Sequence, residues 1–229
     1  MRAISAHLVA AIVVGLSWSA GAAESPSTPA VQVNGTSGCG SPPAADLAAG
    51  RTVTREIASG GSKRSYVLHL PATYDPAKPT PLVLNFHGFG GGARRFAPSS
   101  REAHTAFVRD VAADVGAAPC VDGKRIFAAG KSQGAFMSSW LGCMAPDLIA
   151  AIAPVSGMYE PTAPCKPVPI DAHAQRVTYR QCRAETIQII TDAGHTWPGT
   201  HVREGDNTVP ADLPASEPIW AFFKAHPKP

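Results

Sequence analysis

The stretch that decides the fold is IFAAGKSQGAFMSSWLGC, residues 126–143. It opens with a short apolar run, Ile126 to Ala129, which predicts a buried strand. From Gln133 onward, apolar residues recur at the spacing of one helix face, at Phe136, Met137, Trp140, Leu141 and Met144. Between the two lies Gly130-Lys131-Ser132-Gln133-Gly134, which fits G-x-S-x-G, a sharp strand-to-helix turn that holds a serine hydroxyl clear of the backbone. Ser132 is therefore a predicted nucleophile.

Length and charge exclude some classes of protein. The chain has 229 residues, enough for one sizeable domain. Its net charge is +3, only 16% of its residues are charged, and it has no basic run with interleaved aromatic residues. We therefore expect no nucleic-acid partner.

The N-terminus has the pattern of a signal peptide. Met1-Arg2 precedes an apolar stretch, His7 to Trp18, which is too short to span a bilayer. The small residues Ala20-Gly21-Ala22 follow as a cleavage site. We expect residues 1–22 to be removed on export and the mature chain to have no membrane association. The alternative is an uncleaved membrane anchor. Residues 23–50, rich in Ala, Ser, Pro and Gly, are predicted to be a flexible segment before a domain over residues 51–229.

Export would permit disulfides among the five cysteines. Cys120 precedes the predicted strand that leads to Ser132, and Cys143 ends the helix that returns antiparallel to that strand. We therefore expect a Cys120–Cys143 disulfide. Cys165 with Cys182, or either of them with Cys39, remain open alternatives.

A second set of elements precedes this strand. Arg51 to Ala58 and Arg64 to Leu70 alternate apolar and polar residues around a glycine turn, which predicts an antiparallel hairpin. The continuous apolar run Pro81–Phe86 is typical of a parallel strand covered on both faces. It ends in the glycine-rich loop His87–Gly92. In an acyl-transfer enzyme that loop supplies one oxyanion-hole donor and the N–H of Gln133 supplies the other. A flexible loop or a phosphate cradle is the alternative, but the lysine of a P-loop is missing.

The remaining elements complete an α/β layered pattern of parallel strands with intervening helices. They are a helix that starts at the capping box Ser99–Glu102, strands at Leu148–Val155, Pro167–Ile170 and Glu185–Thr191, and a final helix at Ala215–His226.

His195 is the predicted general base. It lies in a glycine-flanked loop directly after a C-terminal strand. Ligands of open α/β sheets bind at the carboxyl ends of strands, where Ser132 also lies. His87, beside the glycine-rich loop, is better explained by a structural role.

Several blocks of sequence together resemble the secreted feruloyl esterase and polyhydroxybutyrate depolymerase family of α/β-hydrolases. They are Gly38–Gly40, Pro81–Gly91, Cys120–Phe127, Gly130–Gly134, Ala151–Gly157 and Gly194–Gly199. The resemblance covers most of residues 38–200. It implies an α/β-hydrolase fold, with a mostly parallel sheet and helices on both faces, in a secreted or periplasmic carboxylic-ester hydrolase. It also implies Ser132 as nucleophile, His195 as base, an oxyanion hole from the Phe89 and Gln133 amides, no metal or organic cofactor, and an ester-bearing polymer as partner.

The chain departs from this family in two places. Only residues 93–98 separate the glycine-rich loop from the next helix, where the family has a further helix and strand. That strand is normally central, between the hairpin and the Pro81–Phe86 strand, so we expect the sheet to close up or lose pairing. The loop that carries the family's triad acid is also absent. Asp171 is the remaining candidate, Asp192 and Asp206 are weaker ones, and the chain could have no functional acid.

Two functions from different classes follow. The first is a serine esterase that acts through an acyl-enzyme on feruloyl-type plant cell-wall esters or polyhydroxybutyrate-like polyesters. The second is a shortened, catalytically impaired pseudo-enzyme that at most binds the polymer. A third function, a peptidase on the same fold, is supported only by the catalytic triad that peptidases and esterases share.

Overall fold

Two sheets and three helices make up the described part of the chain. The computed structural model describes residues 10–14, 37–89, 101–157, 168–169, 174–179, 185–191, 195–199 and 214–229. The elements are β1 (Ala10–Val14), β2 (Thr52–Ser59), β3 (Ser62–His69), β4 (Thr80–Phe86), α1 (Arg101–Ala117), β5 (Val121–Lys131), α2 (Gln133–Met144), β6 (Ala151–Val155), β7 (Val168–Pro169), β8 (Ala174–Tyr179), β9 (Thr186–Thr191) and α3 (Ser216–Ala225). Within this part, no helix has the length and apolarity needed to cross a membrane.

The main sheet has six strands in the order β2-β3-β1-β4-β5-β6. Strands β1, β4, β5 and β6 run parallel, and the hairpin β2–β3 joins them antiparallel. The predicted hairpin and the predicted strand at Pro81–Phe86 are therefore confirmed, and the described part has mixed α/β character. The predicted helix start at Ser99 and Ser100 lies outside the described residues.

The centre of this sheet differs from the sequence-based expectation. The sheet neither closes up nor loses pairing between the hairpin and β4, because the N-terminal segment Ala10–Val14 lies there as β1. A central parallel strand covered on both faces is a continuous apolar run, and Ala-Ala-Ile-Val-Val meets that requirement. The removal of residues 1–22 stays a prediction.

Helices cover the sheet on both faces. Alternate residues of β4 and β5 point to opposite sides. On one side, the core that α1 and α2 cover contains Leu82, Leu84, Ile126, Ala128, Phe107, Val111, Met137 and Leu141. On the other, Phe127 and Ala129 pack with Phe223 of α3, and the rings of Phe127 and Phe223 stack with centroids 4.5 Å apart.

The C-terminal strands differ from the sequence-based expectation of one parallel sheet. Strands β7, β8 and β9 form a separate antiparallel sheet rather than joining the parallel one. β8 was not predicted from the sequence. The connections explain the antiparallel pairing: residues 170–173 and 180–185 are too few for the crossover that a parallel pair requires, which is a dozen residues or more.

The disulfide prediction Cys120–Cys143 is wrong. Cys120, buried at the start of β5, is bonded to Cys39, and Cys143 is free and exposed. The reason is the rotation of α2, whose buried residues include Leu141 while Cys143 lies on its solvent side. Cys165 and Cys182 lie outside the described residues.

The segment around Cys39 is packed against the domain. Ser37 Oγ donates to the carbonyl of Gly116 at 3.2 Å, and the Gly40 N–H donates to the carbonyl of Pro76 at 2.8 Å. Leu47 is fully buried. Residues 37–50 therefore contribute to the core, although the sequence predicts a flexible segment there.

Candidate functional site

Ser132 lies at the turn between β5 and α2, as the sequence predicts. Its backbone has φ 57° and ψ −117°, and Ser132 and Ser156 are the two non-glycine residues of the described chain with positive φ. A residue with a Cβ is strained in this conformation and persists there only where its surroundings impose it. The turn holds the half-buried Ser132 side chain at the carboxyl edge of the parallel strands.

The two flanking glycines allow this turn because backbones approach closely at both. A Cβ at Gly130 would lie 2.8 Å from the carbonyl oxygen of Phe86 and 2.5 Å from the backbone of Gly134. A Cβ at Gly134 would collide with the Phe86 carbonyl and lie 2.9 Å from the oxygen of His87. The end of β4, the turn and the first residues of α2 therefore fit together only with glycine at both positions.

Two loops enclose Ser132. A Cβ built on Gly88, in the loop after β4, would lie 3.3 Å from Ser132 Cβ and 3.9 Å from its hydroxyl. On the other side, the Ser132 N–H donates to the carbonyl of Val155 at 3.0 Å, and a Cβ on Gly157 would lie 2.8 Å from the Ser132 carbonyl. The loop after β4 thus lies beside the Ser132 side chain, and the loop after β6 packs against the Ser132 backbone.

The start of α2 gives this site a favourable environment for negative charge. The N-terminus of a helix favours negative charge because its first N–H groups lack acceptors within the helix. In α2 the N–H groups of Ala135 and Phe136 donate to the Ser132 carbonyl, at 2.9 and 3.2 Å. The first turn of α2 holds no acidic residue. Phe89, the other predicted oxyanion residue, directly follows Gly88 and its side chain is 79% exposed. The donor roles of the Phe89 and Gln133 amides stay predictions.

His87 is held by its own loop. Its Nδ1 donates to the carbonyl of Gly88 at 2.7 Å, which fixes the ring beside the turn. This contact supports the structural role expected for His87. At the turn itself, partial burial lowers the pKa of the Lys131 ammonium below its ordinary value.

His195, the predicted base, is exposed in a short loop that is hydrogen-bonded to the loop after β6. Its neighbour Thr196 is buried, and the Thr196 carbonyl accepts a 2.8 Å hydrogen bond from Ser156 Oγ. Ser156 follows β6 and precedes Gly157, which contacts Ser132. Among the described residues, no hydrogen bond joins the Ser132 hydroxyl to the His195 imidazole.

The other end of the histidine loop is anchored to α3. Trp197 Nε1 donates to Ser216 Oγ at 3.2 Å, and the Ala215 N–H donates to the Pro198 carbonyl at 3.0 Å. Gly199 has φ 82°, and a Cβ there would lie 2.8 Å from Pro214 Cβ. Because α3 packs on β5 through Phe223, this loop is fixed to the same sheet that carries Ser132.

Ser156 is the residue that sequence reasoning missed. It has φ 53°, and its hydrogen bond to Thr196 joins the loop after β6 to the loop that carries His195. One signal was available, because Ser156-Gly157 directly follows a predicted strand at the edge where Ser132 lies. The hydrogen bond to Thr196 links residues 40 positions apart in the chain, and no local sequence pattern predicts such a contact.

The structure does not describe the candidate acids. Asp171, Asp192 and Asp206 are all outside the described residues. Within the described ranges, no carboxylate forms a hydrogen bond or an ion pair with His195. In the same ranges, no group of three or more His, Cys, Asp or Glu side chains is placed to hold a metal ion.

Fold and site together define an α/β protein with a strained serine at a helix N-terminus, enclosed by loops from neighbouring strands and linked to a histidine loop. That arrangement suits covalent acyl transfer.

Comparison with known proteins gives a partial similarity. No protein-family model matches the chain. Feruloyl esterase B of Piromyces equi is 28% identical to it over a match that covers 40% of this chain and 23% of that protein. This supports an esterase-like relationship and does not establish a family. Since the match spans under a quarter of the relative, the activity of that protein bears on this chain only as a proposal.

Proposed function

We propose that the protein is a serine-dependent carboxylic-ester hydrolase with an α/β-hydrolase fold. The observation that carries the proposal is the backbone of Ser132, strained at φ 57° between two glycines that admit no side chain. Strain of this kind is maintained at functional sites, and a serine in this turn is presented as a nucleophile.

In the proposed reaction, Ser132 Oγ attacks the carbonyl carbon of the ester, and its proton passes to His195. The negative charge that develops on the carbonyl oxygen is stabilised by the amides of Gln133 and Phe89. The tetrahedral intermediate collapses, the C–O bond to the alcohol breaks, and the alcohol leaves with the proton from His195. Water then attacks the acyl-enzyme by the same route, which releases the acid and restores Ser132.

His195 has to approach Ser132 for this chemistry. Hydrogen bonds between catalytic groups are often long in a free enzyme and shorten in the complex with substrate. The His195 side chain is exposed, on a loop anchored at Thr196 and Trp197, and the proposal requires its ring to turn toward Ser132. Asp171 is the proposed orienting acid, with Asp192 and Asp206 as alternatives. Loss of a triad acid lowers turnover by about 10⁴.

For substrate, we propose feruloyl-type esters of plant cell walls, with polyhydroxybutyrate-like polyesters second. The similarity to a feruloyl esterase supports this order. So does the exposed ring of Phe89, two residues after the loop begins at His87, because an aromatic acyl group can pack against it. The partner is accordingly an ester-bearing polymer. The Cys39–Cys120 disulfide supports a secreted or periplasmic location.

A second candidate function has its own support. The match covers 23% of the relative, and no described carboxylate forms a hydrogen bond or an ion pair with His195. A catalytically impaired protein that at most binds the polymer would show both features.

The experiment is labelling of the purified protein with a fluorophosphonate probe, which reacts covalently with an activated serine. Ser132→Ala and His195→Ala are compared with Ser41→Ala and His69→Ala. Ser41 is exposed, and His69 is bonded to Thr52 on the hairpin. Labelling that is lost only in the first two variants supports the esterase. If the wild-type protein is not labelled while its circular dichroism shows a folded chain, the esterase proposal is refuted. The catalytically impaired protein is then the better explanation. Turnover of feruloyl esters against hydroxybutyrate esters then decides the substrate.

A further inference from the structure

Phe136 is a large apolar side chain that α2 leaves at the surface one turn after Ser132. The helix contains no charged residue, and Met137 and Leu141 are buried on its inner face. Phe136 is nevertheless 45% exposed. A single exposed apolar residue needs no explanation in itself. The position of this ring beside the candidate nucleophile is what distinguishes it.

The backbone of Phe136 is bonded to Ser132. Its N–H donates to the Ser132 carbonyl at 3.2 Å. Helical side chains tilt toward the N-terminus of their helix, so each covers the turn before its own Cα. The Phe136 ring is therefore directed along α2 toward the Ser132 turn.

The contact of Phe136 with the loop after β6 agrees with this direction. A Cβ built on Gly157 would lie 3.4 Å from Phe136 Cε2 and 2.8 Å from the Ser132 carbonyl oxygen. Since both distances are measured from one point, the edge of the ring lies next to the Ser132 turn. Gly157 itself contributes no side chain to the space between the ring and the turn.

The two faces of the sheet identify the side of the ester that Phe136 meets. α2 and α3 cover opposite faces. In the proposed reaction the alcohol leaves with the proton from His195, and the histidine loop is anchored to α3 through Trp197 and Ser216. The alcohol therefore leaves on the α3 side. Phe136 belongs to the α2 side, which is left to the acyl group.

We propose that Phe136 is a specificity-determining residue, whose ring packs against the acyl group of the ester and favours aromatic over short acyl groups. The inference rests on the esterase proposed above, and it adds a second aromatic contact to that of Phe89. The two rings come from different sides of Ser132, since Phe89 follows β4 and Phe136 lies against the loop after β6. An aromatic acyl group gains stacking or edge-to-face contact with such a ring, and an acetyl group does not.

The test compares two esters of one alcohol, 4-nitrophenyl ferulate and 4-nitrophenyl acetate, with the full-length protein. Phe136→Ala should lower kcat/KM for the ferulate about tenfold, mainly through KM, and change that for the acetate by about twofold at most. Phe136→Leu keeps an apolar side chain against Gly157 but has no aromatic face, so its effect on the ferulate should be intermediate.

The matched control is Met144→Ala. Met144 also lies on α2 and is 49% exposed. It is eight residues further along the helix than Phe136, which is about 12 Å along the axis. We expect both esters to react with this variant as with the wild-type protein. Circular dichroism checks that each variant is folded.

Binding of ferulate itself, measured by isothermal titration calorimetry, is a readout that needs no turnover. Phe136→Ala should raise the Kd of ferulate about tenfold, and Met144→Ala should change it by about twofold at most.

The outcomes separate this inference from the proposed function. If Ser132 is labelled and both esters react, but Phe136→Ala leaves the preference for ferulate unchanged, the role of Phe136 alone is overturned. An equal loss on both esters also overturns it, because the ring would then contact the alcohol that they share. If neither ester reacts and Ser132 is not labelled, yet Phe136→Ala weakens ferulate binding, the esterase is refuted and the aromatic contact stands. If the wild-type protein neither binds ferulate nor hydrolyses its ester, the inference fails.

Discussion

Replacing Cys39 by serine should remove a large part of the stability of this protein. The Cys39–Cys120 bond joins residues separated by 81 positions. Closing a loop of that length lowers the entropy of the unfolded chain by an amount worth about 4.5 kcal/mol at 25 °C. Domains are stable by about 5–15 kcal/mol, so Cys39→Ser should leave the fold marginal.

The assay is equilibrium unfolding in urea without reductant, followed by tryptophan fluorescence and by circular dichroism. We expect Cys39→Ser to lose about 4 kcal/mol of unfolding free energy. The control is Cys143→Ser, because Cys143 is free and exposed, and we expect a change within about 0.5 kcal/mol. Reducing the wild-type protein should reproduce the Cys39→Ser curve.

The reverse pattern would refute the argument. If Cys143→Ser were strongly destabilised and Cys39→Ser were not, the bond would join Cys120 to Cys143 and α2 would be rotated from the orientation described. A loss below about 1 kcal/mol for Cys39→Ser would show that the long loop is already restricted in the unfolded chain.

Three further changes test the packing around the site. Gly134→Ala places a Cβ against the carbonyl of Phe86, so it should cost at least about 2 kcal/mol in urea unfolding and abolish fluorophosphonate labelling. Phe223→Ala removes a buried ring stacked on Phe127 and should cost about 3–5 kcal/mol by the same measurement. Burial lowers the pKa of His104, so the unfolded chain binds a proton more readily and the Tm should fall as the pH drops below about 6.5. His104→Gln should weaken that dependence, and a variant with the wild-type pH profile would contradict the assignment.

The sequence predicts the local part of the site well. The turn at Ser132 depends on residues within four positions of each other, because Gly130 and Gly134 admit the close contacts that the turn needs. The hairpin β2–β3 is likewise set by alternation and a glycine turn. Both follow from short-range sterics and hydrophobic periodicity, which a single sequence displays.

The remaining features depend on partners far apart in the chain. Ile12 is paired with Leu68 and Leu84, and no local pattern in the apolar run predicts either partner. The choice of Cys39 as the partner of Cys120 depends on how α2 is rotated about its axis. Ser156, which donates the hydrogen bond to Thr196, has a positive φ that the sequence does not predict.

The anchors of the histidine loop carry one consequence for enzymology. The Ser156 hydroxyl donates to the Thr196 carbonyl, and the Trp197 indole donates to the Ser216 hydroxyl. The backbone N–H of Ala215 donates to the Pro198 carbonyl. None of these donors gains or loses a proton between about pH 3 and pH 10. The loop should therefore stay attached across the whole range in which an ester hydrolase is assayed. An ionisation seen in the pH–rate profile should therefore not arise from detachment of this loop.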